Sequence, residues 1–288
     1  MEGMDVIGSH RAGLPPLDDR WIPRAYEREE LRRGLLEGRV AGPVVSHDLE
    51  NVLRNIALLH EGDPDKGFGM SGVDAVHPDE VLALIERAAG FSAEGRSAGP
   101  VPIDPERVLE ACDTAGERLA RAADGGERIV LATGHPRGLD HLYIEVGRLL
   151  AERGARILTP ADGRSWRDDH GRRRYVRYHE GLAMLTDDEQ TLHTHADDAM
   201  DRVLSEVTPD LVLADHGFAG AAIERGIETI GIADVNDPAL LVAREQGRIQ
   251  IVIVMDDNVE PDAYWPCFQA VAATMSRARG ARRRVGLP

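Results

Sequence analysis

The pair Asp215-His216 directly follows a short apolar run, Leu211–Ala214, and precedes the small-residue turn Gly217–Gly220. An Asp at the end of a buried strand is well placed to hold a hard cation. Glycine lets a ligand approach the backbone closely, and a helix N-terminus offers free N–H groups to an anion such as phosphate. The alternative is that Asp215 only caps the next helix and His216 is an ordinary turn residue. A functional interpretation makes Gly217 a candidate substrate-binding residue.

A second apolar run, Thr229–Ala233, ends in Asp234-Val235-Asn236-Asp237-Pro238. Pro238 suits the first turn of a helix, which makes Asp237 its natural N-cap. Capping leaves Asp234 and Asn236 unexplained, and Asp and Asn oxygens are ligands that suit Mg²⁺ or Mn²⁺. Because ligands bind beyond the carboxyl ends of strands in open α/β sheets, two such loops predict one metal site. The candidate ligands are Asp215, His216, Asn236 and Asp237.

A third polar segment, Thr133-Gly134-His135-Pro136-Arg137-Gly138, follows another apolar run. A hydroxyl, backbone amides at a helix start and an arginine together favour binding of a phosphate or carboxylate. The segment is neither a Walker A sequence nor a GxGxxG fingerprint, so ATP and dinucleotides are weakly supported. The alternative is a plain tight turn. We take Thr133, Gly134 and Arg137 as candidate substrate-binding residues.

Two further clusters have weaker signals. His193-Thr194-His195 is an H-x-H pair, which on an extended segment points both imidazoles to one side and could ligate a metal. Asp256-Asp257 ends the last apolar run and could add metal ligands or cap a turn. For both clusters the sequence leaves the role open.

A polar stripe interrupts one helical pattern in the N-terminal half. Asn51 and Asn55 are four residues apart and share a helix face, with Arg54 beside them and Ser46-His47 before them. The stripe is expected either to reach onto the same site, where Asn51, Arg54 and Asn55 would bind substrate, or to make a polar contact between helices.

The order of the elements predicts the fold class. Apolar runs that read as buried parallel strands alternate with helical patterns of about ten residues. We expect an α/β, Rossmann-like, mostly parallel sheet with helices on both faces. The strands are predicted at residues 128–133, 155–159, 210–214, 228–232 and 249–255, with an antiparallel hairpin within 172–186 that turns near Glu180-Gly181.

The N-terminal part of the chain has helical patterns but no predicted strands, unlike the rest. After an irregular arm of about twenty residues, helices are predicted over 24–36, 46–60 and 78–89, with Ser46 as N-cap of the second. Residues 90–102 are rich in Gly, Ser, Ala and Pro and are typical of a linker. We therefore expect an α-helical arm and cap over residues 1–100 and an α/β catalytic domain over residues 101–288.

Composition excludes several functions. The 50 acidic and 34 basic residues give a formal net charge of −16, which argues against broad binding to nucleic acid or an anionic membrane. Lys66 is the only lysine, so Schiff-base or P-loop lysine chemistry is not expected. Cys112 and Cys267 lie alone in predicted helices and are expected to be buried. Without a membrane-length apolar stretch or a signal peptide, the chain is expected to be cytoplasmic, and a homo-oligomer is allowed.

The blocks TGHPRGL, LTPADG, VLADHGFAGAA and GIADVNDPALLVA resemble the signature blocks of an actinobacterial family of predicted phosphatases. The resemblance covers most of the chain and includes the N-terminal stretch Asn51–Ile56. It implies a phosphatase, that is, a hydrolase.

A more distant similarity is to the metal-dependent damage-control phosphatases of carbohydrates and metabolites. Their strand ending in Asp-Asn-Ala-Gly falls on Asp215 and His216, and their later Asn-Asp pair falls on Asn236 and Asp237. The similarity implies a divalent cation held by Asp215 and Asp237 with help from His216. His in place of Asn shifts the expected preference toward Mn²⁺, Co²⁺ or Ni²⁺. The lysine that precedes the Asn-Asp pair in those enzymes is absent, so Arg137 or Arg54 would neutralise the phosphate.

These observations lead to one hypothesis, a metal-dependent phosphomonoesterase acting on a small phosphorylated metabolite such as a sugar or nucleotide monophosphate. The cation would be Mg²⁺, Mn²⁺, Co²⁺ or Ni²⁺. Amides near Gly134 and Gly217, with Arg137, would stabilise the phosphoryl oxygens, and Asp234 or His135 would act as acid–base group. The alternatives are a lyase, cyclase or isomerase of a small carboxylate, or a non-catalytic metabolite-binding module.

Overall fold

The computed structural model describes residues 18–285, with side chains through residue 278. The strands are β1 (Arg128–Thr133), β2 (Arg156–Ile157), β3 (Ser165–Arg167), β4 (Arg173–His179), β5 (Leu182–Thr186), β6 (Leu211–Asp215), β7 (Thr229–Ala233) and β8 (Ile251–Val254). The helices are α1 (Arg28–Glu37), α2 (Leu49–His60), α3 (Pro64–Gly67), α4 (Pro78–Ala89), α5 (Pro105–Asp124), α6 (Asp140–Arg153), α7 (Asp198–Leu204), α8 (His216–Glu224), α9 (Ala239–Glu245) and α10 (Trp265–Val285). Two 3₁₀ turns cover Asp19–Trp21 and Pro261–Tyr264.

The strands form an eight-stranded sheet in the order β3-β4-β5-β1-β6-β7-β8, with β2 paired to the start of β1. β5, β1, β6, β7 and β8 run parallel, whereas β3 and β4 are antiparallel additions at one edge. The hairpin turns at Glu180 and Gly181, as predicted, and both residues have positive φ. The predicted mostly parallel α/β sheet is therefore confirmed.

Helices cover both faces of the sheet because each has one apolar side. α5, α6 and α10 pack together on one face, and α7, α8 and α9 pack on the other. α5 illustrates how the sequence starts such a helix: the Asp104 side chain accepts a hydrogen bond from the Glu106 amide, and Pro105 occupies the first turn. Cys112 and Cys267 are buried as free thiols in this packing, as predicted.

The N-terminal helices lie against both groups. α1 contacts α5 and α10, whereas α2 contacts α3 and α4, and α4 contacts α9. Their buried side chains belong to the same hydrophobic cluster as those of the sheet. The cap role of these helices and a domain border at residue 100 remain predictions. No helix in the described part of the chain is both long and apolar enough to cross a membrane.

Several predicted boundaries were wrong. α2 begins at Leu49 with Asp48 as N-cap, whose carboxylate accepts from the Asn51 amide, so Ser46 is not the cap. α1 begins four residues later than predicted, at a capping box formed by Glu27 and Glu30. β2 is only two residues long. Residues 1–17 of the predicted arm lie outside the described residues.

Candidate functional site

Polar side chains follow four strands whose carboxyl ends are neighbours in the sheet. β1, β6, β7 and β8 lie side by side, so the residues after them meet at one edge. Seven of these side chains are at most 3% exposed, and six of them are ionisable, which is unusual for one place. They are Thr133, Asp215, His216, Asp234, Asp237, Asp256 and Asp257.

Asp215 connects two of these loops. Its Oδ2 accepts a hydrogen bond of 2.6 Å from the Thr133 hydroxyl, and its Oδ1 accepts one of 2.7 Å from the Gly134 amide. Burial raises the pKa of Asp215, and the two donors and His216 act against that rise. Thr133 and Gly134 therefore donate to a carboxylate of the protein in this structure, and their role in substrate binding stays a prediction.

His216 occupies the centre of the site in a strained backbone conformation. Its φ is +45°, in the left-handed region that residues other than glycine rarely adopt. The ring is fully buried, with Nε2 3.2 Å from Asp237 Oδ2 and 3.4 Å from Asp257 Oδ2. Burial opposes a charge on the ring, but these carboxylates outweigh it and raise the pKa of His216 well above its ordinary value. The turn from β6 into α8 thus aims the imidazole at two acids.

Three more imidazoles surround His216. The ring centroid of His195 is 4.5 Å from that of His216, and the ring of His193 stacks on His216 at 5.3 Å. His135 lies 4.5 Å from His193. The H-x-H segment is therefore part of the site, although the sequence left its role open. An H-x-H pair was the only signal, and it does not say which loop it faces.

Two glycines allow the H-x-H segment to reach the centre. A Cβ on Gly134 would collide with the carbonyl oxygen of Thr194, and a Cβ on Gly217 would collide with that of Ala196. The Thr194 amide also donates a 2.9 Å hydrogen bond to the Gly134 carbonyl. Gly134 and Gly217 are thus needed for backbone packing that places two histidines.

The two histidines of this segment are held neutral. Burial, followed by the neighbouring imidazoles, lowers the pKa of His193 to about 4. The same two causes lower the pKa of His195, whose Nδ1 lies 3.1 Å from the carboxylate of Asp65. A neutral imidazole has a free lone pair, and a carboxylate on its other nitrogen is the arrangement that orients histidine ligands of metals.

Several buried atoms have no hydrogen-bond partner. They are Asp237 Oδ1, Asp257 Oδ2, Asn236 Oδ1, His135 Nδ1 and His216 Nδ1. Buried polar atoms in native proteins are nearly always paired, and an unpaired carboxylate is costly. A cation at this point would satisfy them. Asp237 makes no cap hydrogen bond to α9, whose N-cap is Pro238, so capping does not explain it.

The N-terminal half completes the site. His47 Nδ1 lies 2.7 Å from Asp234 Oδ2, and the Ser46 hydroxyl and amide donate to the two oxygens of Asp256 at 2.8 and 2.6 Å. Burial raises the pKa of Asp234 to about 7, while the hydrogen bond from His47 opposes that rise. The expected roles of Ser46 as a helix cap and of His47 as part of the polar stripe did not include these contacts.

The polar stripe on α2 also reaches the strand ends. The Asn55 side chain donates a 2.9 Å hydrogen bond to the Asn236 carbonyl, and Asn51 Oδ1 is buried without a partner. Arg54 is exposed and makes no ion pair within residues 18–278. Asn55 thus contacts one of the strand-end loops, whereas the side chain of Arg54 faces solvent and the binding role of Asn51 stays a prediction.

Two clefts lead to the histidines. The larger, of about 1150 Å³, is lined by His193 and Thr194 and extends past Trp166 on β3. The smaller, of about 580 Å³, is lined by His135 and Arg137. Arg137 makes only a 3.4 Å contact with Gln190, so its guanidinium is available to a ligand. The open sides of the histidine cluster therefore face two separate spaces.

Histidine and carboxylate atoms here could hold a metal ion. Ligand atoms of His135, His193 and His216 lie within 4.8 Å of one another, and so do those of His195, His216 and Asp237. Of the predicted ligands, His216 and Asp237 belong to these groups. Asp215 lies directly behind His216, with 3.3 Å between its Oδ1 and Nδ1 of the ring.

Comparison with known proteins shows the family of this chain. Residues 26–279 match the family described as Phosphatase. The chain is also 32% identical over 261 residues to a protein named phosphatase SCO2771 from Streptomyces coelicolor, an alignment that covers 88% of this chain and 97% of the relative. The resemblance to an actinobacterial phosphatase family is thereby confirmed, and the chain belongs to the Phosphatase family.

Proposed function

We propose that this chain is a metal-dependent phosphomonoesterase that hydrolyses a small phosphorylated metabolite, a sugar or nucleotide monophosphate. The observation that carries the proposal is the cluster of four histidines around buried, unpartnered carboxylate oxygens at the carboxyl edge of the sheet. That edge is where open α/β sheets bind their ligands. Family membership supports phosphate ester hydrolysis as the reaction.

The residues that would hold a divalent cation are His135, His193, His195, His216 and Asp237. The unpartnered Asn236 Oδ1 is a further candidate, and Asp215 supports the cluster from behind. Imidazole ligands favour Mn²⁺, Co²⁺ or Ni²⁺ over Mg²⁺, because Mg²⁺ prefers oxygen. When bound, the cation supplies Lewis-acid polarisation of the phosphoryl group.

Proton transfer is assigned to the pair His47 and Asp234. The buried carboxylate fixes His47 Nδ1 at 2.7 Å, while 23% of the His47 side chain remains exposed. Burial opposes protonation, but Asp234 outweighs it and raises the pKa of His47. With the pKa of Asp234 raised as well, the pair retains a proton near neutral pH, as an acid–base group requires. This extends the predicted acid–base role of Asp234 to a residue of the N-terminal half.

The larger cleft is the proposed place of the organic part of the substrate. Its volume of about 1150 Å³ can contain a sugar or nucleoside, and it opens next to His193. On the other side of the cluster, Arg137 and the smaller cleft are placed to receive phosphoryl oxygens beside His135. Hydrolysis would then occur between the two clefts, where the four imidazoles meet.

The test is release of inorganic phosphate from a panel of sugar and nucleotide monophosphates. Metal-stripped protein is assayed alone and after addition of Mg²⁺, Mn²⁺, Co²⁺ or Ni²⁺. We expect release only with metal, and His216→Gln should lower it by about 100-fold or more, since even residues that merely orient metal ligands cost ~10–100-fold. His179→Gln is the matched control, because His179 is an exposed residue at the end of β4.

Absence of release with every metal, from protein that binds metal tightly, would contradict phosphatase activity toward this panel. Equal release from stripped and reloaded protein would contradict metal dependence alone. Release by His216→Gln at the wild-type rate would place the reaction elsewhere in the molecule.

A further inference from the structure

The candidate ligand atoms form two sets. The first set is His135, His193 and His216, and the second is His195, His216 and Asp237, with all ligand atoms of each set within 4.8 Å. The sets share His216, whose neutral ring has one free lone pair and can bind only one of two ions, so the other ion needs a ligand from outside the sets. We propose that the centre binds two divalent cations side by side, one at each set, an inference that rests on the metal dependence proposed above.

Asp257 lies between the two sets. Its Oδ1 is 3.7 Å from Nδ1 of His135, a member of the first set. Its Oδ2 is 3.4 Å from Nε2 of His216, the same nitrogen that lies 3.2 Å from Asp237 in the second set. One carboxylate thus presents an oxygen to each set, which is the position of a bridging ligand in two-metal sites with ions about 3.5–4 Å apart.

Residues of both ligand sets contain a buried atom that has no hydrogen-bond partner among the described residues. His135 Nδ1 belongs to the first set, and Asp237 Oδ1 belongs to a residue of the second. Asp257 Oδ2 faces the boundary between them and accepts no well-aligned hydrogen bond, although His216 Nε2 lies 3.4 Å away. Asp237 and Asp257 are only 3% and 2% exposed, so water does not replace the missing partners freely. A single ion at one set would leave the other set unsatisfied.

The charge of the buried carboxylates also favours two cations over one. The other buried acids have donors of their own: Asp215 has Thr133 and Gly134, Asp256 has Ser46, and Asp234 has His47. Asp237 and Asp257 face only imidazoles, which must be neutral to act as ligands. Hydrogen bonds from neutral donors do not remove the charges of Asp215 and Asp256, so these carboxylates and a phosphate dianion together carry more negative charge than one divalent cation offsets.

The test counts the ions and detects their proximity. Metal-stripped protein is titrated with Mn²⁺ by calorimetry, and the loaded protein is examined by electron paramagnetic resonance. We expect two Mn²⁺ per chain and a spectrum of two coupled ions. This readout does not depend on enzymatic activity.

Variants assign the ions to the two sets. His193→Gln should retain the ion of the second set alone, and Asp237→Asn should retain that of the first set alone, so each binds one Mn²⁺ with an uncoupled spectrum. Asp257→Asn should lower the affinity for both ions by about 10-fold or more. His179→Gln should bind two. Circular dichroism identifies any variant that does not fold, and His195→Gln replaces Asp237→Asn in that case.

One Mn²⁺ per wild-type chain would overturn the two-ion inference and leave metal-dependent hydrolysis intact. Two ions that persist in both His193→Gln and Asp237→Asn would overturn the assignment of the sets. Two coupled ions in a protein that releases no phosphate would uphold this inference while contradicting the proposed hydrolysis. No binding at all would overturn both.

Discussion

Asp234 Oδ2 lies 2.7 Å from His47 Nδ1, although the two residues are 187 positions apart in the sequence. Asp234 is fully buried at the end of β7, and His47 belongs to the segment that precedes α2. The contact joins the N-terminal half of the chain to the edge of the sheet where the histidines cluster. It is the pairing that orients an imidazole for proton transfer.

Replacement of either member of this pair should affect turnover without affecting metal content. His47→Gln and Asp234→Asn are each expected to lower kcat by about 10²–10⁴-fold, the usual contribution of acid–base catalysis. Steady-state kinetics and metal analysis of the same samples provide the measurement. His179→Gln is the control, because it removes an exposed imidazole at the end of β4 that this pair does not contact. Loss of metal together with kcat would show that the pair maintains the metal centre.

Gly217→Ala should displace the H-x-H segment. The new Cβ would collide with the Ala196 carbonyl, so either α8 or the segment must move. We expect a loss of about 1–3 kcal/mol in the free energy of unfolding, which is typical of overpacking, together with weaker Mn²⁺ binding. Gly67→Ala is the control, because the nearest atom to its Cβ is 3.8 Å away. Denaturant unfolding and calorimetry measure the two effects, and wild-type Mn²⁺ affinity in Gly217→Ala would contradict the prediction.

Metal removal should lower stability. An ion that binds only the folded chain stabilises it by about 2.7 kcal/mol at a free concentration 100 times its Kd. The melting temperature is therefore expected to fall on addition of a chelator and to recover with Mn²⁺. His216→Gln should show a much smaller response, since His216 belongs to both ligand sets. A chelator response in His216→Gln equal to that of the wild type would argue against binding at this cluster.

Trp166 should affect substrate affinity more than turnover. It lies in the wall of the larger cleft, held by a 2.6 Å hydrogen bond from its indole to Asp198 and by the Arg202 guanidinium 4.1 Å from the ring centroid. Trp166→Ala is expected to raise KM about 10-fold with kcat nearly unchanged, the pattern of lost binding that is equal in ground and transition states. Trp166→Phe should recover part of the loss. A fall in kcat at constant KM would place the substrate elsewhere.

Acid should weaken the fold through Asp210 and Arg128. The hydrogen bonds and charge of Arg128 lower the pKa of Asp210 from 3.8 to about 2. Because the pKa is lower in the folded chain, the pair stabilises it above about pH 4, and that contribution is lost as the pH falls through 2. Asp210→Asn should therefore remove a small part of the stability difference between pH 5 and pH 3, measured by urea unfolding. The effect is small because both side chains are about two-fifths exposed.

The sheet was predictable because its strands are continuous apolar runs ended by polar residues. β1 matches its predicted range, and the strand ends at Asp215 and Asp234 lie beside each other as expected. The N-cap of α2 was not predictable, because Ser46 and Asp48 are both good caps and tertiary contacts decided between them. Ser46 instead binds Asp256, which is 210 residues away.

The cluster of histidines and carboxylates was predictable only in part, for a similar reason. His216 and Asp237 follow neighbouring strands, so sheet order alone brings them together. His193 and His195 lie in the long loop after β5, and their place depends on how that loop folds back over Gly134. The spacing of residues in the sequence does not indicate that this loop folds back over Gly134. It also cannot show that Thr133 and Gly134 donate to Asp215, since that requires their distances.

The contact between His47 and Asp234 has a consequence for biosynthesis. The segment near residue 47 leaves the ribosome long before the strands that end at Asp234 and Asp257, by roughly 10–40 s at ordinary elongation rates. Until then the partners of Ser46 and His47 do not exist, and the four imidazoles have no complete set of acids around them. The metal binding proposed for the cluster would therefore begin only after nearly the whole chain has been translated, which would separate metal loading in time from the folding of the first helices.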